Sequence, residues 1–200
     1  MKLLTSPASP FVRKVRVLIR EAGREEAVEE IPVSTSALAT DPQILSHNPL
    51  GRIPTLIRDD GPAMVDSRVI CRFLDAQFKL GLYPEEHLWD VLTLEALADG
   101  MLDSAVSMAY EVRLRPEDKR FPDWIEAQWA KIARGLDSIE ADWSSHLARL
   151  IDMGQLALAC ALGYLDFRHA ARNWREGRPS LAAWDARMAQ RPSLQATRPR

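Results

Sequence analysis

The segment that most constrains the fold is Ser6 to Val15, which reads SPASPFVRKV and joins an apolar stretch of strand length to a helix. Ser9 stands where a helix N-cap belongs and Pro10 at the first helical position, because a serine hydroxyl satisfies a free backbone N–H and proline has none to satisfy. The apolar residues that follow recur at helical spacing: Phe11, Val15, Leu18, Ile19 and Ala22. A strand therefore turns directly into a helix, and Ser9 is either only its cap or a hydroxyl placed for chemistry.

Composition limits the class of protein. The chain has 200 residues, enough for one large domain or two small ones with a core that needs no disulfides. A formal net charge of −2 gives no reason to expect nucleic acid or an anionic membrane as a partner. Cys71 and Cys160 match no zinc or CxxC spacing, which predicts two free thiols in a reducing compartment. With no signal peptide and no membrane-spanning stretch in the sequence, we expect a cytoplasmic protein.

The first eighty residues alternate between strand and helix patterns. After the first helix, the sequence predicts a strand (27–33), a short and weakly defined helix (34–46), a hairpin (55–58 with 63–65) and a helix beginning at Asp66 and Ser67. Between these elements, Asn48-Pro49 and Gly51 mark a turn. The order is therefore β-α-β-α-β-β-α.

Residues beyond this unit show only helical patterns. Gly81 and Pro84 indicate a linker at residues 80–85, which separates a domain of residues 1–79 from a domain of residues 86–200. A long helix is predicted from 86 to 113, a helix with an apolar stripe from 125 to 143, a central helix buried on all sides from 156 to 167, and a last helix from 180 to 189. Asp152 and Gln155 have capping-box spacing, and the tail from Arg191 is predicted to be loose. The predicted fold class is α+β.

Three motifs in this order resemble the glutathione S-transferase family. The elbow SPASPFVRKV resembles the catalytic-serine segment of bacterial members, residues 48–54 (NPLGRIP) resemble their cis-proline loop, and Asp66-Ser67 resembles the pair that holds the γ-glutamyl end of glutathione. EALADGMLDS from Glu95 and CALGYLDFR from Cys160 are similar to a bacterial subgroup of the family. The resemblance covers the whole chain and implies a thioredoxin-like domain followed by an all-helical domain.

The resemblance implies that glutathione is the co-substrate and that no metal takes part. Its implied binding residues are Ser9, Phe11, Arg52, Ile53, Pro54, Asp66 and Ser67. The glycine carboxylate of glutathione needs a cation, and Arg52 or Arg13 is the candidate. Ser6 is a second hydroxyl in the elbow, less favoured than Ser9 because it precedes the helix by several residues.

Each implied residue also has an ordinary structural explanation. An X-Pro bond is cis in only about 5–6% of cases, so only the resemblance favours a cis bond at Ile53-Pro54, which would turn the backbone of Ile53 toward the cysteinyl part of glutathione. Asp66-Ser67 alone would be read as a helix cap, but a helix start with a serine hydroxyl also suits the γ-glutamyl carboxylate. Asp66 could then face the ammonium group.

The long helix is expected to contribute to the pocket for a small electrophile, through Met101, Ala105 and Met108 at i, i+4 and i+7. A stripe of this kind is more often core or dimer contact. The resemblance implies a homodimer, in which Asp99 or Asp103 would reach the glutathione of the partner subunit. His47, His87, His146 and His169 show no metal spacing, and surface or packing roles are expected for all four.

Three functions remain open from the sequence. The first is conjugation of glutathione to electrophiles, with the Ser9 hydroxyl donating a hydrogen bond to the thiolate. The second is a non-catalytic glutathione-binding or regulatory protein of the same fold, since fold does not fix function. The third is glutathione-dependent peroxide reduction or isomerisation in the same pocket. A serine at position 9, in place of a cysteine, argues against disulfide reduction through a mixed disulfide.

Overall fold

A mixed four-stranded sheet forms the centre of the N-terminal domain in the computed structural model, which describes residues 1–200. The strand order is β2-β1-β3-β4, with β1 parallel to β2 and antiparallel to β3, and β3 antiparallel to β4. The strands are β1 (Lys2–Thr5), β2 (Glu29–Pro32), β3 (Thr55–Ile57) and β4 (Met64–Val65). Leu3 pairs with Leu56 across the two central strands, and both side chains are fully buried.

Helices α1 (Pro10–Glu21) and α3 (Ser67–Phe78) pack against each other, and α3 also packs against β3 and β4. The predicted apolar stripe of α1 is buried at Val15, Leu18 and Ile19. The β-α-β-α-β-β-α order is confirmed. The second helix, α2 (Pro42–Leu45), is much shorter than the predicted span of 34–46, because Asp41 caps it at its start and only Ile44 is buried.

The C-terminal domain is all-helical, as predicted. Its helices are α4 (Leu88–Leu114), α5 (Pro122–Asp142), α6 (Ser144–Leu147), α7 (Met153–His169), α8 (Pro179–Met188) and α9 (Pro192–Ala196). The central helix α7 packs along α4 and is buried on nearly every side from Met153 to Leu165. Asp152 caps it by accepting a hydrogen bond from the backbone N–H of Gln155 at 2.9 Å, which confirms the predicted cap. No helix is both long and apolar enough to cross a bilayer.

The segment between the two domains is packed into the protein. Leu82 is buried, its N–H donates to Asp75 Oδ1 at 2.8 Å, and its carbonyl accepts from the N–H of Met153 at 3.0 Å. One continuous hydrophobic core includes residues from both domains. Cys71 and Cys160 lie buried in this core, and both are free thiols, as the sequence predicted.

The C-terminal tail is not loose, and that prediction is wrong. Helix α9 packs against α1, and Leu194 and Thr197 are buried. The Glu21 carboxylate at the end of α1 accepts hydrogen bonds from Arg191 Nε at 3.0 Å and from the Ser193 hydroxyl. These polar contacts, together with the burial of Leu194, hold the tail against the N-terminal domain.

Replacing Glu21 with glutamine is expected to lower the free energy of unfolding by about 1–2 kcal/mol at neutral pH. Burial of this carboxyl opposes its ionisation, but the hydrogen bonds from Arg191 and Ser193 outweigh burial and hold its pKa below the usual value. A lowered pKa stabilises the fold above the unfolded-state pKa, and this stabilisation is lost as the pH falls through the folded-state pKa. The difference in melting temperature between native and variant protein should therefore shrink on acidification below about pH 4.5. A difference that is constant or grows in acid would contradict this.

Candidate functional site

The elbow between β1 and α1 has the predicted geometry. Ser9 has extended backbone angles and caps α1, with its hydroxyl oxygen accepting from the N–H of Val12 at 3.3 Å, and Pro10 is the first helical residue. The N–H of Ser9 donates to the carbonyl of Ser6 at 3.1 Å, which closes the turn. The Ser9 side chain is half-buried, and as an acceptor in the cap it keeps its own hydroxyl proton free to donate elsewhere.

The loop before β3 is held by Asn48, which is buried. Its amide donates to the carbonyl of Arg52 at 2.8 Å, and its side-chain oxygen accepts from the N–H of Leu50 at 3.0 Å. Gly51 has a φ of +64°, and a Cβ at this position would lie 2.7 Å from Thr40 Cγ2, so only glycine fits. The peptide bond between Ile53 and Pro54 is cis.

The start of α3 has an unusual backbone. Asp66 has a φ of +72°, a backbone conformation that residues other than glycine rarely adopt. Its carboxylate caps the helix by accepting a hydrogen bond from the N–H of Arg68 at 2.9 Å. The Arg68 guanidinium also binds this carboxylate at 3.0 Å. These hydrogen bonds from Arg68 hold the pKa of Asp66 below its usual value. The next residue, Ser67, is buried.

These three segments surround a pocket of about 330 Å³ together with the middle of α4. Its lining residues are Phe11, Asn48, Leu50, Arg52, Ile53, Pro54, Val65, Asp66, Ser67, Arg68, Ala96, Asp99, Gly100 and Asp103. The pocket combines two arginines with three carboxylates, so it suits a ligand that carries charges of both signs. No group of three or more histidine, cysteine, aspartate and glutamate side chains is arranged to hold a metal ion.

A buried ion cluster lies beneath this pocket. The Lys14 ammonium is fully buried and lies 2.8 Å from both carboxylate oxygens of Asp99, 2.9 Å from Glu95 Oε1 and 3.3 Å from the Ser67 hydroxyl. Burial alone would lower the pKa of Lys14, but the two carboxylates outweigh burial and raise it. The other oxygen of Glu95 accepts a hydrogen bond from the Tyr83 hydroxyl at 2.9 Å.

Comparisons with known proteins decide the family. Residues 8–77 match the glutathione S-transferase N-terminal domain family, and residues 122–187 match the glutathione S-transferase C-terminal domain family. The "Uncharacterized GST-like protein YibF" of Escherichia coli is 34% identical over 206 residues, which cover 100% of this chain and 98% of that protein. The chain belongs to the glutathione S-transferase family.

Solved structures of transferases agree with this assignment. A glutathione transferase family member from Pseudomonas fluorescens with bound glutathione is 44% identical and has a TM-score of 0.96, covering 100% of this chain and 98% of that one. A structure from the same organism with bound S-(propanoic acid)-glutathione is 43% identical, has a TM-score of 0.92 and covers 100% of both chains. The thioredoxin-like domain followed by a helical domain is the architecture of the transferase family.

Six of the seven residues that the resemblance implied for glutathione lie in the lining of this pocket: Phe11, Arg52, Ile53, Pro54, Asp66 and Ser67. Ser9 is not in that set, although Phe11, two residues further along the chain, is. Of the two candidate cations, Arg52 is exposed at the pocket, whereas Arg13 is buried and donates to the carbonyl of Leu194 at 3.1 Å. Arg13 therefore points toward α9, and its candidacy for the glycine carboxylate is wrong.

The prediction of an electrophile pocket on α4 is also wrong. Met101, Ala105 and Met108 are 4%, 0% and 2% exposed and belong to the hydrophobic core, because α5 and α7 both pack against α4. The resemblance implies that Asp99 or Asp103 reaches the glutathione of a partner subunit. Within a single chain, both lie in the wall of its own pocket.

Three polar residues at or beneath the pocket were missed from the sequence: Lys14, Arg68 and Glu95. Asn48 was identified only as part of the turn and of the motif at residues 48–54. Lys14 offered a signal, since its spacing of three from Phe11 and four from Leu18 places it on the apolar face of α1. Glu95 and Asp99 likewise stand four residues apart on α4, among apolar residues that are now buried. A charged residue within an apolar stripe indicates a buried partner of opposite charge.

Of the histidines, His47 is exposed and His146 is buried beside Asp152, with 2.8 Å between Nε2 and Oδ2. His169 is half-buried, with its Nε2 2.9 Å from the carbonyl of Ala105.

Proposed function

We propose that this protein conjugates glutathione to small hydrophobic electrophiles and that the Ser9 hydroxyl stabilises the thiolate. The observation that carries this proposal is the pocket between residues 52–54, the start of α3 and α4, next to a helix whose first turn is capped by Ser9. A structure 44% identical to this chain has bound glutathione, which supports glutathione as the ligand. A similar structure with bound S-(propanoic acid)-glutathione supports room for a group on the sulfur.

Conjugation requires a thiolate at neutral pH. A free thiol has a pKa of about 8.5, and each unit by which this is lowered needs roughly 1.4 kcal/mol of preferential stabilisation of the anion. Serine is too weak an acid or base to remove the proton, but its hydroxyl can donate a hydrogen bond to sulfur. Ser9 also stands at the N-terminus of α1, where the helix dipole favours negative charge. Both effects lower the pKa of a bound thiol.

In this proposal the rest of glutathione is bound along the pocket. The Ser67 hydroxyl and the free N–H groups at the start of α3 bind the γ-glutamyl carboxylate. Asp66, with Asp99 nearby, faces the γ-glutamyl ammonium group, and Arg52 supplies the cation for the glycine carboxylate. The backbone of Ile53 pairs with the cysteinyl residue as a short antiparallel ladder, and Phe11 packs against the ligand.

The proposal also places the protein in the cytoplasm as a homodimer with a detoxifying role. The family resemblance supports the homodimer and the role. Two buried free thiols agree with a reducing compartment.

The proposal is tested by measuring glutathione binding by calorimetry and then thiol consumption with 1-chloro-2,4-dinitrobenzene and a panel of other electrophiles. Enzymatic formation of glutathione adducts is the expected result. Turnover only with hydroperoxides or isomerisation substrates would show that the protein is a glutathione-dependent peroxidase or isomerase. Glutathione binding without any turnover would show that it is a non-catalytic glutathione-binding protein. Absence of glutathione binding would overturn the proposal as a whole.

Replacing Ser67 with alanine is expected to weaken glutathione binding about tenfold, because a hydrogen bond to a charged carboxylate contributes about 1.5 kcal/mol. The turnover number at saturating glutathione should remain near the native value, since Ser67 is proposed to contact the end of glutathione remote from the sulfur. Steady-state kinetics that separate KM from kcat check this. A lower kcat with an unchanged KM would assign Ser67 to a different role.

A further inference from the structure

The buried Lys14 has contacts that the architecture alone does not explain. Its ammonium group is fully buried, although lysine is one of the residues least often found in that position. It connects three helices, since Lys14 belongs to α1, Ser67 to α3, and Glu95 and Asp99 to α4. Buried ion clusters are poor stabilisers, because apolar residues of similar volume often serve the fold equally well. Two of the groups that Lys14 binds line the pocket, which points to a role there.

The contact between Lys14 and Ser67 determines where the hydroxyl hydrogen of Ser67 points. A protonated lysine has three donors and no acceptor, so the Ser67 oxygen, 3.3 Å from the ammonium nitrogen, must accept this hydrogen bond. The hydroxyl hydrogen of Ser67 is then turned away from Lys14. Because Ser67 lines the pocket, that hydrogen is available as a donor to an anionic group of the ligand.

The contact with Asp99 fixes a negative charge beside this donor. Glu95 is fully buried and is bound by Lys14 and Tyr83, so its carboxylate is not available to a ligand in the pocket. Asp99 is bound through both oxygens by Lys14 and also lines the pocket. Lys14, Glu95 and Asp99 together carry one surplus negative charge. Among these three residues only Asp99 borders the pocket, and the exposed Arg68 approaches it no closer than 3.7 Å.

We infer that Lys14 is a positioning residue for the α-amino acid end of the ligand. It presents Ser67 as a hydrogen-bond donor to the α-carboxylate and holds Asp99 as an acceptor for the α-ammonium group. Both groups bind the same nitrogen atom, so they lie side by side, as the two charged substituents of one α-carbon require. This inference rests on the proposed function, in which the γ-glutamyl residue of glutathione supplies that end.

The experiment compares glutathione binding by the native protein with binding by the double variant Lys14→Met, Glu95→Gln. This variant removes one positive and one negative charge, so the cluster keeps its surplus charge, and the amide oxygen at position 95 can still accept from Tyr83. Glu95→Gln alone is the matched control. Calorimetry should show binding weakened about tenfold or more in the double variant relative to native, and weaker than in Glu95→Gln alone, which loses the surplus charge but keeps Lys14 to position Ser67 and Asp99. Circular dichroism and thermal melting establish that each variant is folded.

A double-mutant cycle with Ser67→Ala distinguishes a positioning role of Lys14 from a merely structural one. If Lys14 acts through Ser67, Ser67→Ala should weaken glutathione binding about tenfold in the native background and less than about threefold in the double-variant background. Equal effects in both backgrounds would overturn the inference, as would native affinity in the double variant. Native protein that binds no glutathione would instead refute the proposed function.

A second measurement does not depend on the folding of any variant. In a crystal structure of the native protein with glutathione, the Ser67 hydroxyl should lie within hydrogen-bond distance of both Lys14 Nζ and the α-carboxylate, with the α-ammonium beside Asp99. Glutathione bound with its α-carboxylate away from Ser67, or its ammonium away from Asp99, would overturn the inference.

Discussion

Replacing Ser9 with alanine is expected to lower the rate of glutathione conjugation about ten- to one-hundred-fold, because a hydrogen bond to a charged group contributes about 1.5–3 kcal/mol. The same substitution removes the cap of α1, in which the hydroxyl accepts from the N–H of Val12 at 3.3 Å, and this should cost about 1 kcal/mol of stability. The rate effect therefore greatly exceeds what a small loss of folded protein can cause. Initial rates at saturating glutathione, with thermal melting on the same samples, measure both effects.

Ser6→Ala is the matched control for this substitution. Ser6 provides a hydroxyl in the same elbow, but only its backbone carbonyl takes part in the turn, where it accepts from the N–H of Ser9. This variant should retain a conjugation rate within about twofold of native. If Ser6→Ala lowers the rate and Ser9→Ala does not, the hydroxyl that contacts sulfur is Ser6. Native rates in both variants would show that Ser9 only caps the helix.

Replacing Asp152 with alanine is expected to be the most destabilising of the substitutions considered, at about 2–4 kcal/mol. Its buried carboxylate accepts from the N–H of Gln155 at 2.9 Å at the start of α7 and lies 2.8 Å from Nε2 of the buried His146. Alanine removes the cap and leaves the imidazole without this neighbour. Because α7 is the central helix of the C-terminal domain, the loss affects the whole fold.

Asp152→Asn is the conservative comparison, since asparagine caps helices about as well as aspartate and keeps an acceptor for Gln155. It should lose less than about half of the stability that the alanine variant loses. Urea unfolding followed by circular dichroism gives both free energies. A loss of less than about 1 kcal/mol in Asp152→Ala would show that this cap contributes little to the central helix.

Residues whose roles depend on near neighbours in the chain could be predicted. Ser9 and Pro10 start α1 as expected, and Asp152 caps α7 three residues before Gln155, because a cap is a contact within one helical turn. The burial of α7 on nearly all sides followed from its largely apolar composition. These local signals, with the resemblance of residues 48–54 and 66–67, were enough for the fold and most of the pocket.

Features that depend on distant contacts could not be predicted. The tail is ordered because Leu194 packs against α1 and because Arg191 and Ser193 bind Glu21, about 170 residues earlier in the sequence. The same limit applied to Met101, whose helical spacing fitted both a pocket and a core. Only the positions of α5 and α7 against α4 decide between these two.

The buried cluster shows the same limit within the site. Lys14 is stabilised by Asp99, which is 85 residues away in the sequence. Without that partner, burying the charge of a lysine would cost too much free energy. The sequence contained each member of the cluster, but the position of α4 over α1 could not be derived from helical periodicity.

The central claim is that the elbow of α1 stabilises a bound thiolate, and an ultraviolet difference titration of bound glutathione against pH tests it most directly. In the native protein the bound thiol should ionise well below its solution pKa of about 8.5, and in Ser9→Ala this shift should be largely lost. Bound glutathione that titrates at its solution pKa in the native protein, or an equal shift in both proteins, would contradict the role of Ser9.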